Sequence, residues 1–167
     1  ESRELEIVIT ISVGDPIRIG SVTFDGWPDG VALPDTTVEE VVSSGDIFVD
    51  EKIALADVAV LAYLMDSGYA LAKISRELLP LGPGLVGLHY LGAAGDFYVI
   101  DEVAVTGCSD DLTDLVLRVV NISPGIDYSE EVVKNASLDL RLTQLFRVVE
   151  ISTEAISPGH LRLVIDA

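Results

Sequence analysis

Gly14-Asp15-Pro16-Ile17-Arg18-Ile19-Gly20-Ser21-Val22-Thr23-Phe24-Asp25-Gly26 is answered 81 residues later by Gly95-Asp96-Phe97-Tyr98-Val99-Ile100-Asp101-Glu102-Val103-Ala104-Val105-Thr106-Gly107. Gly14, Asp15, Ile19, Val22 and Gly26 fall on Gly95, Asp96, Ile100, Val103 and Gly107 at one constant step. Further on, Gly45 precedes Asp50 and Glu51 by the same steps that separate Gly125 from Glu130 and Glu131. Self-similarity at a fixed period of this length marks a repeated supersecondary unit. The chain therefore reads as two copies of one unit.

Outward from the quoted stretch, Ile17 to Phe24 is an extended segment closed by Gly26 and the loop Trp27-Pro28-Asp29-Gly30. Thr36 and Glu39 have capping-box spacing, and Val38, Val41 and Val42 give a short helix its apolar stripe before Ser43-Ser44-Gly45 ends it. A longer helix follows, with Asp50 or Glu51 near its positive end and Gly68 placed to terminate it. Ile53, Leu55, Val58, Leu61, Ala62, Leu64 and Met65 make it apolar over much of its circumference, which predicts a largely buried helix. Leu71 to Leu79, the turn cluster Pro80-Leu81-Gly82-Pro83-Gly84 and Leu85 to Leu91 then form a hairpin.

The second copy repeats the plan. Tyr98 to Val105 is its first strand, and Asp110 to Val120 its first helix, with Leu112, Leu115, Val116 and Val119 on one face. Ser129 stands near the start of its second helix, and Arg147 to Ala155 with Leu161 to Ile165 form its hairpin through Ser157-Pro158-Gly159. Each copy has the order β-α-α-β-β, an α+β unit with a three-stranded mixed sheet and two helices on one face. Residues 15–95 form one unit and 96–167 the next. Leu5 to Val13 precedes Gly14-Asp15 as Leu85 to Ala94 precedes Gly95-Asp96, so residues 1–14 read as the last strand of a preceding, truncated unit. An apolar strand without its own unit is expected to seek an edge, and concentration-dependent dimerisation through Leu5–Val13 is one expectation. The joint at Gly95-Asp96 leaves almost no linker and predicts a semi-rigid rod.

Composition limits the function. Of 167 residues, 49% are hydrophobic, enough to exclude an acidic tail too polar to form a core. With 28 acidic and 10 basic side chains the formal charge is −18, which opposes attraction to nucleic-acid phosphates or anionic lipid headgroups. Cys108 is the only cysteine, so an intrachain disulfide and a cysteine zinc cluster are both excluded, and His89 with His160 make a poor metal set. No apolar run approaches the roughly 18 to 20 residues of a bilayer-spanning helix.

Three phrases carry a family resemblance: Ile19-Gly20-Ser21-Val22-Thr23-Phe24-Asp25-Gly26, the helix end Tyr63-Leu64-Met65-Asp66-Ser67-Gly68-Tyr69-Ala70, and Pro124-Gly125-Ile126-Asp127-Tyr128-Ser129 leading to Leu145-Phe146-Arg147-Val148-Val149. In this order and spacing they resemble tandem polypeptide-transport-associated (POTRA) domains, which stand ahead of the β-barrel in outer-membrane assembly factors of the BamA and TamA type. The Gly45 to Lys52 stretch resembles the TamA branch. Where the first unit has Gly68-Tyr69-Ala70 the second has Leu145-Phe146-Arg147 without glycine, a form the family uses in the unit nearest the barrel.

The resemblance implies a non-catalytic periplasmic arm at the inner face of the bacterial outer membrane, attached to its own C-terminal β-barrel, without cofactor or metal. It implies unfolded outer-membrane proteins or passenger polypeptides as partners, with accessory lipoproteins or an inner-membrane protein as further candidates. It also implies that the second strand of each unit is an open edge, pointing to Ala72, Lys73, Ile74, Ser75 and Arg76 and to Val148, Val149, Glu150, Ile151 and Ser152. An exposed edge offers unpaired N–H and C=O groups to an added strand, which makes recognition tolerant of sequence. The ordinary alternative is an edge kept soluble by Lys73, Arg76 and Glu150. A scaffold that only docks partners, the arm of a two-partner secretion transporter and that of a chloroplast import channel stand as rival readings. A small-molecule module would need a pocket between helices and sheet, which the crowded helix Ile53 to Met65 argues against.

Other conspicuous residues have ordinary readings beside the chemical ones. Ser43, Ser44 and Ser129 lack a histidine nearby in sequence, and Gly82-Pro83-Gly84 cannot cradle phosphate because proline removes a donor. His89 reads as a sheet-face residue and His160 as a solvated neighbour of a turn. Asp110, Asp111 and Asp114 complement a helix dipole and lack a calcium-loop pattern. Cys108 reads as a small loop residue. Trp27 is either a partner contact or a lid over the sheet end.

Overall fold

A computed structural model describes residues 14–167, so Leu5–Val13 and its expected edge pairing lie outside the described residues. The first unit contains β1 (Arg18–Asp25), α1 (Asp35–Glu39), α2 (Asp50–Asp66), β2 (Lys73–Gly82) and β3 (Leu85–Ala93). The second contains β4 (Val99–Thr106), α3 (Asp110–Val120), β5 (Ile126–Asp127), α4 (Glu130–Leu142), β6 (Glu150–Ser157) and β7 (His160–Asp166). Their sheets have strand orders β1-β3-β2 and β5-β4-β7-β6, with β1–β3 and β4–β7 parallel and each hairpin antiparallel.

The repeat extends to individual hydrogen bonds. Gly45 N donates to Ile19 O and Gly125 N to Ile100 O, each at 2.7 Å; Phe48 N donates to Ile17 O at 2.8 Å and Tyr128 N to Tyr98 O at 2.9 Å. Gly26 (φ +65°) and Gly107 (φ +84°) end the first strand of each unit in left-handed backbone. A Cβ at Gly26 would strike the Gly92 carbonyl, and one at Gly107 would strike Asp166 and Ala167, so a repeated steric demand lies behind both glycines.

Each sheet packs one face on its helices. Leu88 and Tyr90 of β3 meet Ile53, Ala56 and Val60 of α2 in one core. Leu161 and Leu163 of β7 meet Val133 of α4, and Ile165 meets Val116, Ala136 and Leu140, in the other unit.

Several expectations change. The second sheet has four strands, because Ile126–Asp127 pairs with Val99 and Ile100; the single bridge Arg18↔Ile47 is its counterpart in the first unit. Helix α1 starts at Asp35 behind Pro34, with no side-chain cap bond, so Thr36 lies inside the first turn and makes no capping box. Helix α2 is buried along Ile53, Ala56, Val60 and Leu64 only, while Leu55 and Val58 are more than half exposed, because one sheet covers one helix face. Pro80 to Gly82 belong to β2, and the turn shrinks to Pro83-Gly84. Proline is tolerated there because β2 is an edge strand. Strand β6 begins at Glu150, so Arg147 to Val149 precede it.

At the joint, α2 ends in a Schellman turn: Tyr69 N donates to Leu64 O and Gly68 N to Met65 O, with Gly68 at φ +97°. Gly68 O then accepts Tyr98 N at 2.8 Å. Asp66 reaches across to accept Ser129 Oγ at 3.2 Å and Glu131 N at 2.6 Å, at the first turn of α4. Ala70 and Met65 enter the core of the second unit beside Tyr98 and Tyr128, and Tyr69 packs edge-on against Phe97.

Candidate functional site

Strand β2 is the edge of its sheet and carries Lys73, Ile74, Ser75 and Arg76 in its first turn-free stretch. Side chains alternate across a strand. Ile74 therefore turns to the helices and packs against the core of the first unit. Two residues on, Arg76 lies opposite Tyr90 and sets its Nε 3.1 Å from Asp57 Oδ1 on α2. The same carboxylate accepts the Tyr90 hydroxyl at 2.9 Å. Burial, and then the hydrogen bond to Asp57, raise the Tyr90 phenol above its ordinary range. The Tyr90–Asp57–Arg76 cluster ties the edge strand to the helix layer.

Toward its end β2 becomes apolar. Leu78, Leu79 and Leu81 are exposed, as is Leu85 across the turn. Pro80 has no N–H, so the stretch able to pair continuously with an incoming strand is Lys73 to Leu79. On the face away from the helices, Gly87 sits between Ser21 and Leu79 in register, with no charged side chain in that row.

Strand β6 is likewise an edge, but a shorter one whose charged residues, Glu150 and Glu154, are both acidic. Of the positions expected there, Glu150 and Ile151 are in the strand, with Ile151 packed on the core. Val149 is not: it is 4% exposed in the core, and its carbonyl accepts Arg141 Nη2 at 3.3 Å. Across the outer face, Glu102, Arg162 and Glu154 stand in one register row. Arg162 lies 2.7 Å from Glu102 and 3.7 Å from Glu154, and the Glu102 hydrogen bond raises its pKa further.

The remaining candidates fall into structural positions. Trp27 packs edge-on to Phe24 at 5.6 Å, tilts over Tyr63 and gives its indole N–H to Ala32 O, the geometry of a lid over the sheet end. His89 lies on the outer sheet face, with Nδ1 2.9 Å from Thr23 Oγ1. His160 pairs with Asp101 at 2.6 Å, a contact that their distance in sequence hid. Cys108 is partly buried beside Thr113, and Ser129 caps α4 by accepting Val132 N. Among the described residues no group of His, Cys, Asp or Glu is arranged to hold a metal. Among them, too, no helix is long and apolar enough to cross a membrane. An open depression of about 620 Å³ lies at the end of α3 around Asp114, Arg118 and Asn121. Sequence reasoning missed Asp57 as a partner of the edge, since only the fold brings it to Arg76 and Tyr90.

No family model and no curated protein sequence matches the chain. Solved structures do. The POTRA3-5 segment of Haemophilus influenzae BamA superposes with a TM-score of 0.78 at 18% identity, over 90% of this chain and 60% of that one. Haemophilus ducreyi BamA lacking POTRA domains 1-3 gives 0.67 at 17% identity, over 91% of this chain and 28% of that one. POTRA1-2 of the periplasmic domain of Omp85 from Anabaena gives 0.52 at 13% identity, over 90% and 95%. The chain thus spans less than two thirds of each of the two BamA structures. Their likeness, together with the repeated β-α-α-β-β order and the edge position of both hairpin strands, establishes the fold of this chain as that of tandem POTRA domains.

Proposed function

We propose that the chain is a non-catalytic polypeptide-binding arm that receives extended, apolar segments by strand addition to β2. The observation that carries this reading is the Lys73–Leu79 edge, which has no partner strand on its outer side among the described residues, is anchored from behind by Arg76 on Asp57, and is followed by an apolar tip. Main-chain pairing supplies affinity without demanding one sequence, and alternate side chains of the guest meet Leu79 and Leu81 on one face and Ile74 and Leu78 on the other. A charge of −18 disfavours acidic guests, leaving neutral or basic segments of alternating polarity such as the strands of an unfolded outer-membrane barrel. The likeness to BamA POTRA domains supports a place beside an outer-membrane barrel, on the periplasmic side. Transfer along such an arm needs no covalent step, so no catalytic residue is assigned.

The test uses the intact chain and a synthetic peptide of a barrel strand, with a second peptide identical except for backbone N-methylation at alternate residues. Strand addition predicts binding of the first and a loss of at least about tenfold for the second, because only main-chain donors are removed. Equal binding of both, or binding only of folded partner proteins, would replace strand capture with a docking scaffold.

A further inference from the structure

Strand β1 is the other edge of the first sheet, bridged on its outer side at Arg18↔Ile47. The helices beside the two first strands are placed differently. In the second unit α3 runs eleven residues and lies against β4, with Val116 and Val120 packed with Val103 and Val105 in one core. In the first unit α1 runs five residues and packs on α2 instead. A cleft of about 250 Å³ is left between α1 and β1. Val22, Phe24, Val38 and Val42 supply its apolar walls, and Asp35 and Glu39, one helical turn apart on α1, stand exposed at its rim. Among the described residues neither carboxylate has an ion-pair partner. Arg18 and Lys52 are engaged elsewhere, at Gly45 O (2.7 Å) and at Asp46 (3.9 Å), and the Ser43 and Ser44 hydroxyls at one end of the cleft donate to Glu39 O and Gly20 O.

We infer that the α1–β1 cleft binds a lysine or arginine side chain of an extended polypeptide. Such a side chain lays its aliphatic stem on apolar surface and keeps its cationic head at the polar margin. The cleft offers the same division, with valine and phenylalanine walls for the stem and two unpaired carboxylates for the head. Its volume of about 250 Å³ suits one long side chain and falls below the roughly 300 Å³ at which small-molecule pockets begin. Val22 and Phe24 belong to β1, so the cleft runs beside an edge strand along which the main chain carrying that residue can lie. The chain's charge of −18 favours the approach of a cation. Strand β3 separates this cleft from the β2 edge, so binding here does not require strand capture there.

The test titrates the intact chain with the peptide acetyl-Ser-Leu-Arg-Leu-Ser-amide and with the same peptide carrying citrulline for arginine, which keeps the shape and removes the charge. Methyl NMR signals of Val22, Val38 and Val42 report occupation of the cleft. These signals are expected to shift with the arginine peptide, and the citrulline peptide is expected to bind at least about tenfold more weakly. The paired substitution Asp35→Asn with Glu39→Gln should abolish the difference between the two peptides. Equal binding of the two peptides, a difference that survives the paired substitution, or shifts confined to Lys73–Leu79 overturns the inference. Arginine amide binding as tightly as the peptide refutes it as well, since the occupant is then a small cation. If the paired variant does not fold, a spin-labelled arginine peptide on the unsubstituted chain decides: stronger broadening at Val38 and Val42 than at Leu79 supports the cleft, and the reverse refutes it.

Discussion

The two sheets share the order and register of their three long strands and the glycine that ends the first strand, yet their outer faces carry different side chains row by row. Ser21, Gly87 and Leu79 form one row in the first unit; Glu102, Arg162 and Glu154 form it in the second. At that row a common backbone carries uncharged side chains in one copy and an ion-paired set in the other, while at the next row the first unit has Thr23, His89 and Glu77 and the second has Ala104, Val164 and Ser152. The backbone hydrogen bonds that define the fold do not depend on which side chains fill the outer face, so that face is where two copies of one unit can acquire different partners. Charge on an edge is also a known protection against unwanted pairing.

The largest effect should come where the copies are the same. Leu88 and Leu163 are equivalent and both 0% exposed. Leu88→Ala and Leu163→Ala should each cost about 3 kcal/mol in urea unfolding, and a large inequality would break the equivalence of the two cores. Next is the joint. Gly68→Ala adds a Cβ against the Phe97 ring at φ +97°, and a loss of about 2 kcal/mol is expected, read as separation of the two units' unfolding transitions.

A smaller effect is pH-dependent and comes from a tyrosine at a different place in each copy. Tyr90 faces α2 where the second unit has Ile165, and Tyr128 stands where the first unit has Phe48. Burial and then a hydrogen bond to a carboxylate, Asp57 for Tyr90 and Glu130 for Tyr128, raise both phenols. The folded state therefore holds these protons more tightly than the unfolded chain. Stability from this source is fully present below the unfolded value of about 10 and is lost as pH rises beyond it toward the folded values. Tyr90→Phe and Tyr128→Phe should each cost about 1 kcal/mol at neutral pH and flatten the alkaline fall in Tm. The smallest effect is expected for Arg162→Gln, a slight drop in Tm at low salt that disappears at high salt, since its ion pairs are exposed.

Much of this was legible in the sequence. The 81-residue step predicts the repeated strand and helix order, the apolar face of Asp110–Val120 predicts α3 at its observed bounds, and Ser129 is the residue type that caps α4. The two-residue strand β5 was not legible, because Ile126–Asp127 is too short to show a period of two. The full reach of β2 is hidden in the sequence because proline and glycine ordinarily signal a turn, and only its edge position lets Pro80 stay in the strand. The apolar circumference of α2 hid which side is covered, since composition cannot tell one packed face from two. The contrast between the Gly87 and Arg162 rows depends on register, which the repeat alone did not supply.

Residue-resolved amide exchange of the intact chain, saturated with an unmodified barrel-strand peptide, tests the central claim most directly. New protection along Lys73–Leu79, with Glu150–Ser157 unchanged, is the predicted result. Equal protection of both edges, or a bound peptide that leaves Lys73–Leu79 exchanging as before, would contradict it.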